Sequence, residues 1–443
     1  MSNKDKSAMS EEKNEKRALV PRLRFPEFRD AGEWETVPMG SLLVRNPEYG
    51  VNAPAAPYSE DLPTYLRITD IDDDGRFLSE SKVSVDIVAT DDNYLESGDI
   101  VLARTGASVG KSYRYRKEDG RLVFAGFLIR IRPEPKKVNS IFLANFLTTQ
   151  QYWSWVGVTS ARSGQPGING TEYSSLPVPV PSNEAGNNGL SEQQRIADCL
   201  FSLNELIAAE GQKLGTLRTY KKGLMQQLFP RESETLPRLR FSKFQNAGEW
   251  QKRKISTLLN RSINPVDVDA GAMYQEVGIR SHGKGIFHKE LVSGKSLGTK
   301  RVFWVKEDAF VVNIVFAWEQ AVAVTSAAEK GMIASHRFPM YTAKPNKTNV
   351  NFIKYFFLTK KGKELLGIAS PGGAGRNKTL GQKEFENLEF LLPSTVEEQN
   401  EIANFLSSID TLIAIQSQKV DALKNHRNSL MQQLFPMLNE VGG

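Results

Sequence analysis

The sequence has almost no cysteine and no long apolar run. Cys199 is the one cysteine among 443 residues, which excludes an intramolecular disulfide and fits a reducing compartment such as the cytoplasm. No stretch of about 18 apolar residues occurs, so the sequence predicts no transmembrane helix. Residues 1–20 are polar and lack the apolar core of a secretory signal. We therefore expect a cytoplasmic protein with a polar leader and no membrane association.

Motifs of catalytic and metal sites are scarce as well. The four histidines show no zinc-ligand spacing with the cysteine. The glycines of residues 106–112 enclose three residues, whereas a phosphate-binding loop requires four. Residues 70–75 begin like an EF-hand loop, but Ser81 stands where that loop requires glutamate. Since no nucleophile elbow stands out either, the sequence predicts no catalytic residue, no metal site and no cofactor in this chain.

The most informative feature that is present is a long repeat. Residues 192–230 align without a gap with residues 398–436, and the two copies share 19 identities over 39 positions. Apolar residues recur in each copy at alternating steps of four and three, the a/d pattern of a coiled coil. The predicted seam residues are Ile196, Leu200, Leu203, Ile207, Leu214, Leu217, Leu224 and Leu228 in the first copy, and Ile402, Leu406, Ile409, Ile413, Val420, Leu423, Leu430 and Leu434 in the second.

A second repeated marker divides the chain into two halves. Residues 21–25 followed by 32–34 recur as residues 237–241 followed by 248–250. Each half therefore runs from the marker through a globular region to a long helix. The predicted divisions are a polar leader (1–20), a first domain (21–190), a first helix (191–230), a linker (231–236), a second domain (237–396), a second helix (397–436) and a tail (437–443).

The two globular regions have the pattern of mixed α/β domains. Apolar and β-branched runs predict strands near residues 64–67, 98–102 and 124–132 in the first domain, and near 276–280 and 308–312 in the second. Helical spacing appears at residues 141–148 and 351–359. A glycine-rich loop and a strand ending in proline then precede each long helix.

Basic and amide side chains are grouped in the loops of both domains. Residues 21–191 carry a net charge of −4, whereas residues 231–396 carry +11. Arg, Lys, Asn and Gln hold phosphates and read base edges, although a solvated loop accounts equally well for any one of them. The candidate DNA contacts are Arg104, Thr105, Ser108, Lys111, Tyr113, Arg114, Arg116, Arg162, Gln165 and Asn169 in the first domain, and Arg280, His282, Lys284, His288, Lys289, Trp318, His336, Arg337, Arg376, Asn377 and Lys378 in the second.

Taken together, these features resemble the specificity subunit of a type I restriction–modification system. The resemblance covers essentially the whole chain after the leader. The segments that carry it are residues 98–111, 163–169, 192–197 and 224–230 in the first half, and 313–318, 335–338 and 372–378 in the second.

The resemblance implies an α/β (α+β) fold with two similar target-recognition domains. Two conserved helices would join them as an antiparallel coiled coil, giving a pseudo-two-fold internal repeat. Each domain would read one half of a bipartite, asymmetric target in double-stranded DNA, and the helices would set the spacing and dock the modification subunits. The chain itself would be non-catalytic. It would recruit two modification subunits, which use S-adenosylmethionine to methylate adenine, and two restriction subunits, which use ATP and magnesium.

Two other classes of protein remain as alternatives. An enzyme in its own right, such as a fused methyltransferase or nuclease, would need a cofactor motif that the sequence lacks. A coiled-coil adaptor that does not touch DNA would not need the net charge of +11 in the second domain. If the two helices pair about a centre between their polar seam positions, Glu210 lies opposite Arg427 and Lys221 lies opposite Gln416.

Overall fold

The computed structural model of the chain describes residues 19–161, 164–182, 189–372 and 378–437. The chain divides into two compact units. The first comprises Met1–Glu210 and Lys419–Gly443, and the second comprises Gly211–Gln418. Each unit therefore contains one globular domain together with part of both repeated helices.

The first unit is built from short strands and helices. Its strands are β1 (Trp34–Pro38), β2 (Glu48–Tyr49), β3 (Ala55–Pro57), β4 (Thr64–Leu66), β5 (Val83–Val85), β6 (Ile100–Ala103), β7 (Ser112–Arg114), β8 (Leu122–Phe124), β9 (Leu128–Ile131) and β10 (Pro177–Pro181). Its helices are α1 (Ser140–Phe146), α2 (Gln150–Thr159) and α3 (Gly170–Ser174). The long helix α4 (Gly189–Leu228) begins in this unit and ends in the second.

The second unit repeats this succession of elements. Its strands are β11 (Gln251–Lys254), β12 (Leu259–Ser262), β13 (Met273–Ile279), β14 (Ile286–Ser293), β15 (Val302–Trp304), β16 (Ala309–Val312), β17 (Val322–Val324), β18 (Ile333–Ser335), β19 (Met340–Ala343) and β20 (Glu389–Leu392). Its helices are α5 (Ile255–Leu258), α6 (Gly294–Leu297), α7 (Val350–Phe357), α8 (Lys360–Ile368) and α9 (Gln382–Glu386). The second long helix, α10 (Val396–Leu434), begins here and ends in the first unit.

The sheets of the two domains correspond in their central strands. One sheet has the order β2-β9-β6-β7 in the first domain and β12-β19-β16-β17 in the second. The strands β6 and β16 are buried along their whole length, as their apolar, β-branched sequences predict. In the other sheet, β4 pairs in parallel with β8, and β13 pairs in parallel with β18. The predicted mixed α/β fold with an internal repeat is therefore confirmed.

The short helices that follow these sheets also begin in the same way. The Asn139 side chain accepts hydrogen bonds from the backbone N–H groups of residues 141 and 142 at the start of α1. Asn349 does the same for residues 351 and 352 at the start of α7. Such caps satisfy backbone donors that have no partner inside the helix. The helices predicted at 141–148 and 351–359 thus form, each ending two residues earlier than predicted.

The repeated marker holds the start of the first domain against α4. Arg24 Nη2 lies 2.7 Å from Glu192 Oε2, and both side chains are buried. The Trp34 indole N–H donates to Glu192 Oε1 at 3.3 Å. Arg24 Nη1 also donates to the Ala31 carbonyl at 2.6 Å. The marker residues are therefore repeated because they form one buried polar contact with the first turn of the helix.

The second marker makes the same contacts with α10. Arg240 Nε lies 2.7 Å from Glu398 Oε1, and the Trp250 indole N–H donates to that oxygen at 3.3 Å. Arg240 Nη1 donates to the Ala247 carbonyl at 2.6 Å. The two units thus have the same anchor between marker and helix.

The end of each long helix packs in the unit of the other domain. In the first unit, Phe435, which directly follows α10, lies with its ring centroid 6.3 Å from that of Trp34 and 5.0 Å from that of Phe142. The Leu23 N–H donates to the Gln433 carbonyl at 3.0 Å. The last residues of α10 therefore complete the core of the first domain.

The second unit is completed by the end of α4 in the same manner. The Phe229 ring centroid lies 6.2 Å from that of Trp250 and 5.4 Å from that of Phe352. The Leu239 N–H donates to the Gln227 carbonyl at 3.0 Å. The identical helix ends, residues 224–230 and 430–436, thus fill equivalent places in the two cores.

The seam residues of both helices are buried or half buried at every predicted position.

Inside each unit the two helix segments run antiparallel. In the first unit, Glu210 pairs with Lys419, while Arg427 contacts Asn204. In the second, Lys221 pairs with Asp410. The pairs expected for a centre between the polar positions are corrected, because Glu210 forms its salt bridge with Lys419 and Lys221 forms its salt bridge with Asp410. The observed pairing is shifted by about one heptad, because the end of each helix must reach the marker of the other half.

One predicted strand is also corrected. Residues 124–132 do not form a single strand, since a turn closed by the Leu128 N–H and the Ala125 carbonyl separates β8 from β9. These two strands consequently belong to different sheets. Among the described residues, no helix is both long and apolar enough to cross a membrane.

Candidate nucleic-acid interface

In the first domain, two loops that are distant in sequence lie side by side. The Ile168 N–H donates to the Arg104 carbonyl at 2.9 Å, and the Gly106 N–H donates to the Pro166 carbonyl at 3.0 Å. A β-bridge joins Thr105 to Gly167. The structure thus places the loop after β6 next to the described part of the glycine-rich loop. This proximity agrees with the prediction that both loops contact the same DNA.

Several candidate side chains are available on this pair of loops. The Arg104 guanidinium lies 4.8 Å from the centroid of the Tyr49 ring, and its buried Nε has no hydrogen-bond partner in the described chain. Gln165 is exposed, and Thr105 and Ser108 are half buried. These polar groups form a small surface that a base edge or a phosphate can reach.

Other candidates of the first domain have partners inside the protein. Lys111 lies 3.3 Å from Asp73, and Arg116 lies 3.5 Å from Glu205. Burial lowers the pKa of Arg114. Tyr113 is only 1% exposed, and its hydroxyl donates to Asp119 at 2.7 Å. Tyr113 therefore faces the interior, and its predicted contact with DNA does not fit this position.

The remaining candidates of the first domain include a helix cap. The Asn169 side chain accepts from the Glu172 N–H at 2.9 Å, so it caps α3. The structural role is sufficient to explain this asparagine. Arg162 lies outside the described residues.

In the second domain, the candidates are concentrated on the hairpin formed by β13 and β14. His282, with φ of 60°, and Gly283, with φ of 65°, place two successive left-handed residues in its loop. This conformation exposes the side chains of Arg280, His282 and Lys284. The loop therefore presents three basic or titratable groups to the solvent within five residues.

A cavity of about 480 Å³ opens beside this loop. Its walls combine the basic side chains with the aromatic rings of Phe287, Phe316 and Phe338. The Arg280 guanidinium lies 4.8 Å from the Phe287 ring centroid. A side chain at Gly278 would place its Cβ 2.2 Å from the same ring, so glycine is required for this packing. Aromatic faces stack on bases, and arginine holds phosphates or guanine.

Two candidates at the edge of this hairpin have carboxylate partners. His288 Nε2 lies 2.9 Å from Glu329 Oε1. Lys289 Nζ lies 2.8 Å from Glu276 Oε2. Burial raises the pKa of each carboxyl group, but hydrogen bonds from these basic residues and their neighbours outweigh it, so both pKa values lie below the ordinary range. His288 and Lys289 are therefore less available to DNA than the loop residues.

The other candidates of the second domain are spread over its surface. His336 and Arg337 are exposed. Lys378 Nζ lies 5.8 Å from the Trp318 ring centroid, and the buried Trp318 indole N–H has no hydrogen-bond partner among the described residues. Arg376 and Asn377 lie outside the described residues.

Sequence reasoning missed two groups of side chains in this region. The first comprises Phe287 on β14 and Phe316 after β16, which their sequence surroundings alone do not distinguish from core residues. The second comprises Arg218 and Lys222, which line a further cavity although they belong to the predicted coiled-coil helix. The run of cations at residues 218–222 could have indicated a basic face on that helix. No group of three or more metal-ligating side chains occurs in the described ranges.

Comparison with known proteins places these features in a family. A model described as the type I restriction modification DNA specificity domain matches residues 52–218 and 293–425. The putative type I restriction enzyme MjaX specificity subunit of Methanocaldococcus jannaschii is 23% identical over 351 residues, which cover 76% of this chain and 77% of the relative. The type I restriction enzyme MjaVIII specificity subunit of that organism is 20% identical over 445 residues, which cover 93% of each chain.

A solved structure shares the fold of this chain. The crystal structure of a type I restriction–modification system S subunit from M. genitalium superposes with a TM-score of 0.61 at 12% identity, covering 95% of this chain and 100% of the other. At this identity the likeness is one of fold. The family model, however, matches the sequence twice, once in each half of the chain. Because these two matches cover more than half of its residues, the chain belongs to the type I restriction–modification DNA specificity family.

Proposed function

We propose that each domain of this chain reads one half of a bipartite, asymmetric DNA target. On this proposal the chain itself performs no catalysis. It directs adenine methylation and restriction by two modification subunits and two restriction subunits that assemble with it. S-adenosylmethionine, ATP and magnesium then belong to those partners.

The observation that carries this proposal is the basic, aromatic cavity of the second domain. Arg280, His282 and Lys284 surround a space of about 480 Å³ that has aromatic walls. Phosphate contacts position a protein on DNA, whereas contacts with base edges specify the sequence. A site that combines both kinds of group suits sequence reading better than it suits a coiled-coil adaptor.

Exposed apolar residues on the long helices support the docking of partner subunits. Leu206 is 44% exposed on α4, and Leu412 is 53% exposed at the equivalent position of α10. Ile415 is also exposed on α10. Leu412 and Ile415 lie one turn apart, and neighbouring apolar side chains exposed on one face are typical of a surface that contacts another protein. Two equivalent faces suit two copies of one modification subunit.

The test is to map methylation by the assembled complex. The chain and its modification subunits are incubated with a random-sequence DNA library, and the methylated sites are sequenced. We expect two fixed, unrelated half-sites separated by unspecified bases. A single contiguous motif, or methylation without any motif, would contradict the proposal.

The variant Arg280→Ala assigns one half-site to the second domain. We expect relaxed preference at one base pair of one half-site, with a loss of about 1–3 kcal/mol in discrimination. The other half-site should stay unchanged. Arg253→Ala is the matched control, because Arg253 is an exposed arginine of the same domain that lies outside the cavity. Equal relaxation in both half-sites would contradict this assignment.

A further inference from the structure

The second unit contains a larger cavity, of about 780 Å³, between α4 and the second domain. We call it the helix groove and define it by Arg218 and Lys222 on α4 and by His282 and Lys360 on the domain. Arg218, Lys222 and Lys360 form no salt bridge with any described residue. The groove therefore concentrates cations whose charge the described chain does not neutralise.

The few acidic residues of the helix groove do not balance these cations. Glu232 and Glu364 line the cavity, and each has a carboxylate oxygen 3.5 Å from Lys361 Nζ. Lys221, also on α4, pairs with Asp410. The available carboxylates are therefore already occupied by other lysines, and an anion from outside the chain would complete the site.

The internal repeat provides a comparison within the same molecule. Arg218 and Lys221 of α4 correspond to Lys424 and Arg427 of α10. In the first unit, Lys424 Nζ donates to Asp74 Oδ2 at 2.9 Å, and Arg427 Nη1 lies 3.7 Å from Asp74 Oδ1. The carboxylate of Asp74 thus contacts both cations of the first unit, whereas in the second unit Asp410 contacts Lys221 and leaves Arg218 without a carboxylate among the described residues.

The corresponding loop of the second domain supplies no carboxylate. Asp74 belongs to the loop that follows β4, and the loop that follows the matching strand β13 is residues 280–285. The sequence of that loop is Arg-Ser-His-Gly-Lys-Gly. Its histidine, His282, lines the helix groove. The second unit therefore has the basic face of the helix, while its loop at residues 280–285 supplies no carboxylate like that of Asp74.

The extent of the basic surface favours a polyanion over a single carboxylate. His282 lines both the helix groove and the aromatic cavity of the second domain. The cations of α4 are thereby continuous with Arg280 and Lys284 on the other side of the loop. A backbone with a phosphate at every nucleotide fits such a row of cations, whereas one acidic side chain of a protein would satisfy one or two of them.

We propose that the helix groove holds the phosphate backbone of the DNA next to the second half-site, with Arg218 and Lys222 of α4 as phosphate contacts. The inference rests on the proposed function and extends the DNA interface from the recognition domain onto the helix. The first unit makes no such contact, because Asp74 occupies the equivalent position. The two halves of the chain consequently contribute unequally to the salt-dependent part of DNA binding.

The test compares the salt dependence of DNA binding by the full chain with its modification subunits. The probes are one duplex that contains the mapped target and one of shuffled sequence. For the double variant Arg218→Gln/Lys222→Gln, we expect a slope of log K against log salt that is shallower by about 1–2. Affinity for both duplexes should fall by a similar factor, on the order of tenfold. Base preference in each half-site should not change.

Two further variants use the comparison between the units. Lys424→Gln removes the cation equivalent to Arg218, but Asp74 already neutralises it, so we expect the slope to stay at the wild-type value. His282→Asp places a carboxylate in the loop of the second domain, at a left-handed position that aspartate tolerates. It should weaken binding to both duplexes and make the slope shallower. An increase in the affinity of His282→Asp for DNA would contradict the proposal that the helix groove binds the phosphate backbone.

The outcomes separate the two proposals. An unchanged slope in Arg218→Gln/Lys222→Gln, with target DNA still preferred, would overturn the helix groove and leave the proposed function intact. Failure of the wild-type complex to prefer any sequence would overturn the proposed function. If the double variant loses its modification subunits in a pull-down while the free chain keeps its salt slope, the groove binds an acidic protein surface instead. That result would also overturn the proposal.

Discussion

Lys354 is a cation placed where a charge is poorly accommodated. Burial lowers the pKa of Lys354 to about 8; the carboxylate of Asp410 opposes this shift and the ammonium of Lys221 adds to it. Lys354 Nζ lies 4.2 Å from the centroid of the Tyr355 ring, and the Tyr355 hydroxyl donates to Asp410 Oδ2 at 2.7 Å. The second unit therefore holds a half-buried ammonium that stays mostly charged at pH 7 but loses its proton at a lower pH than an ordinary lysine.

This lysine should make the stability of the protein depend on pH in the alkaline range. The unfolded chain keeps the proton of Lys354 up to a pKa of 10.5, whereas the folded chain loses it at about 8. The unfolded state thus binds more protons between about pH 8 and 10, and the contribution of Lys354 to stability rises with pH in that window. Lys354→Met should raise the free energy of unfolding at pH 7 by about 1–3 kcal/mol.

Urea unfolding of the wild type and of Lys354→Met at several pH values measures this difference. The advantage of the variant should shrink between about pH 8 and 10, because the lysine of the wild type loses its charge there. Because the other titrating groups are the same in both proteins, their contributions to the pH dependence cancel when the two free energies of unfolding are compared at each pH. An advantage that does not change with pH would show that packing rather than charge is responsible.

Single residues also show where sequence reasoning ends. The marker residues Arg24 and Trp34 could be recognised as repeated, and so could Glu192 in the helix. Their mutual contact could not, since nothing in the sequence states that an arginine and a glutamate 168 positions apart share one buried salt bridge. The same limit applies to Tyr113, which its place among basic residues groups with the candidate DNA contacts although its ring fills the core.

At the scale of the helices, the seam was predictable and the register was not. Apolar periodicity identified the buried face of α4 and α10 because that face is set by the local sequence. The register depends on where the helix ends are held. Phe229 and Phe435 fix those ends by packing against Trp250 and Trp34. A contact between distant parts of the chain thus decides which polar seam residues meet.

The long helices should determine the spacing between the two half-sites. Both α4 and α10 continue from one unit into the other. Inserting one heptad after Gly211 and one after Ser417 lengthens both helices by roughly 10 Å at about 1.5 Å per residue. The unspecified gap in the target should grow by about three base pairs at ~3.4 Å each. Both half-site sequences should be unchanged.

A heptad insertion keeps the seam residues on the same face, so the helix pair should still form. A four-residue insertion at both positions is the informative comparison, because it rotates the seam. Methylation mapping of the seven-residue variant measures the gap, and circular dichroism checks that helix content is retained. An active, folded variant with the original gap would contradict the role of the helices in spacing.

At the scale of the whole molecule, the first unit depends on residues from the end of the chain. The groups that α10 supplies to it all have equivalents in α4. Lys419, Lys424 and Arg427 bind Glu210, Asp74 and Asn204 in the first unit. The equivalent residues of α4 are Lys213, Arg218 and Lys221, and the helix ends at residues 224–230 and 430–436 are identical. A second copy of the first half could therefore provide every charge and apolar group that the first unit lacks.

A fragment of residues 1–236 should consequently form a two-fold homodimer. Alone it would leave the seam of α4 without its partner helix and would leave open the aromatic site that Phe435 fills. Burying each apolar side chain contributes about 1.5–3 kcal/mol before the costs of ordering, so a monomer with an open seam is unfavourable. In the dimer, α4 of one copy would complete the first unit of the other.

With its modification subunits, the dimer should methylate a palindromic target made of two inverted copies of the first half-site, because protein symmetry imposes target symmetry. Analytical ultracentrifugation and methylation mapping test the two statements; a stable monomer, or an asymmetric target, would contradict the exchange of helix ends between copies.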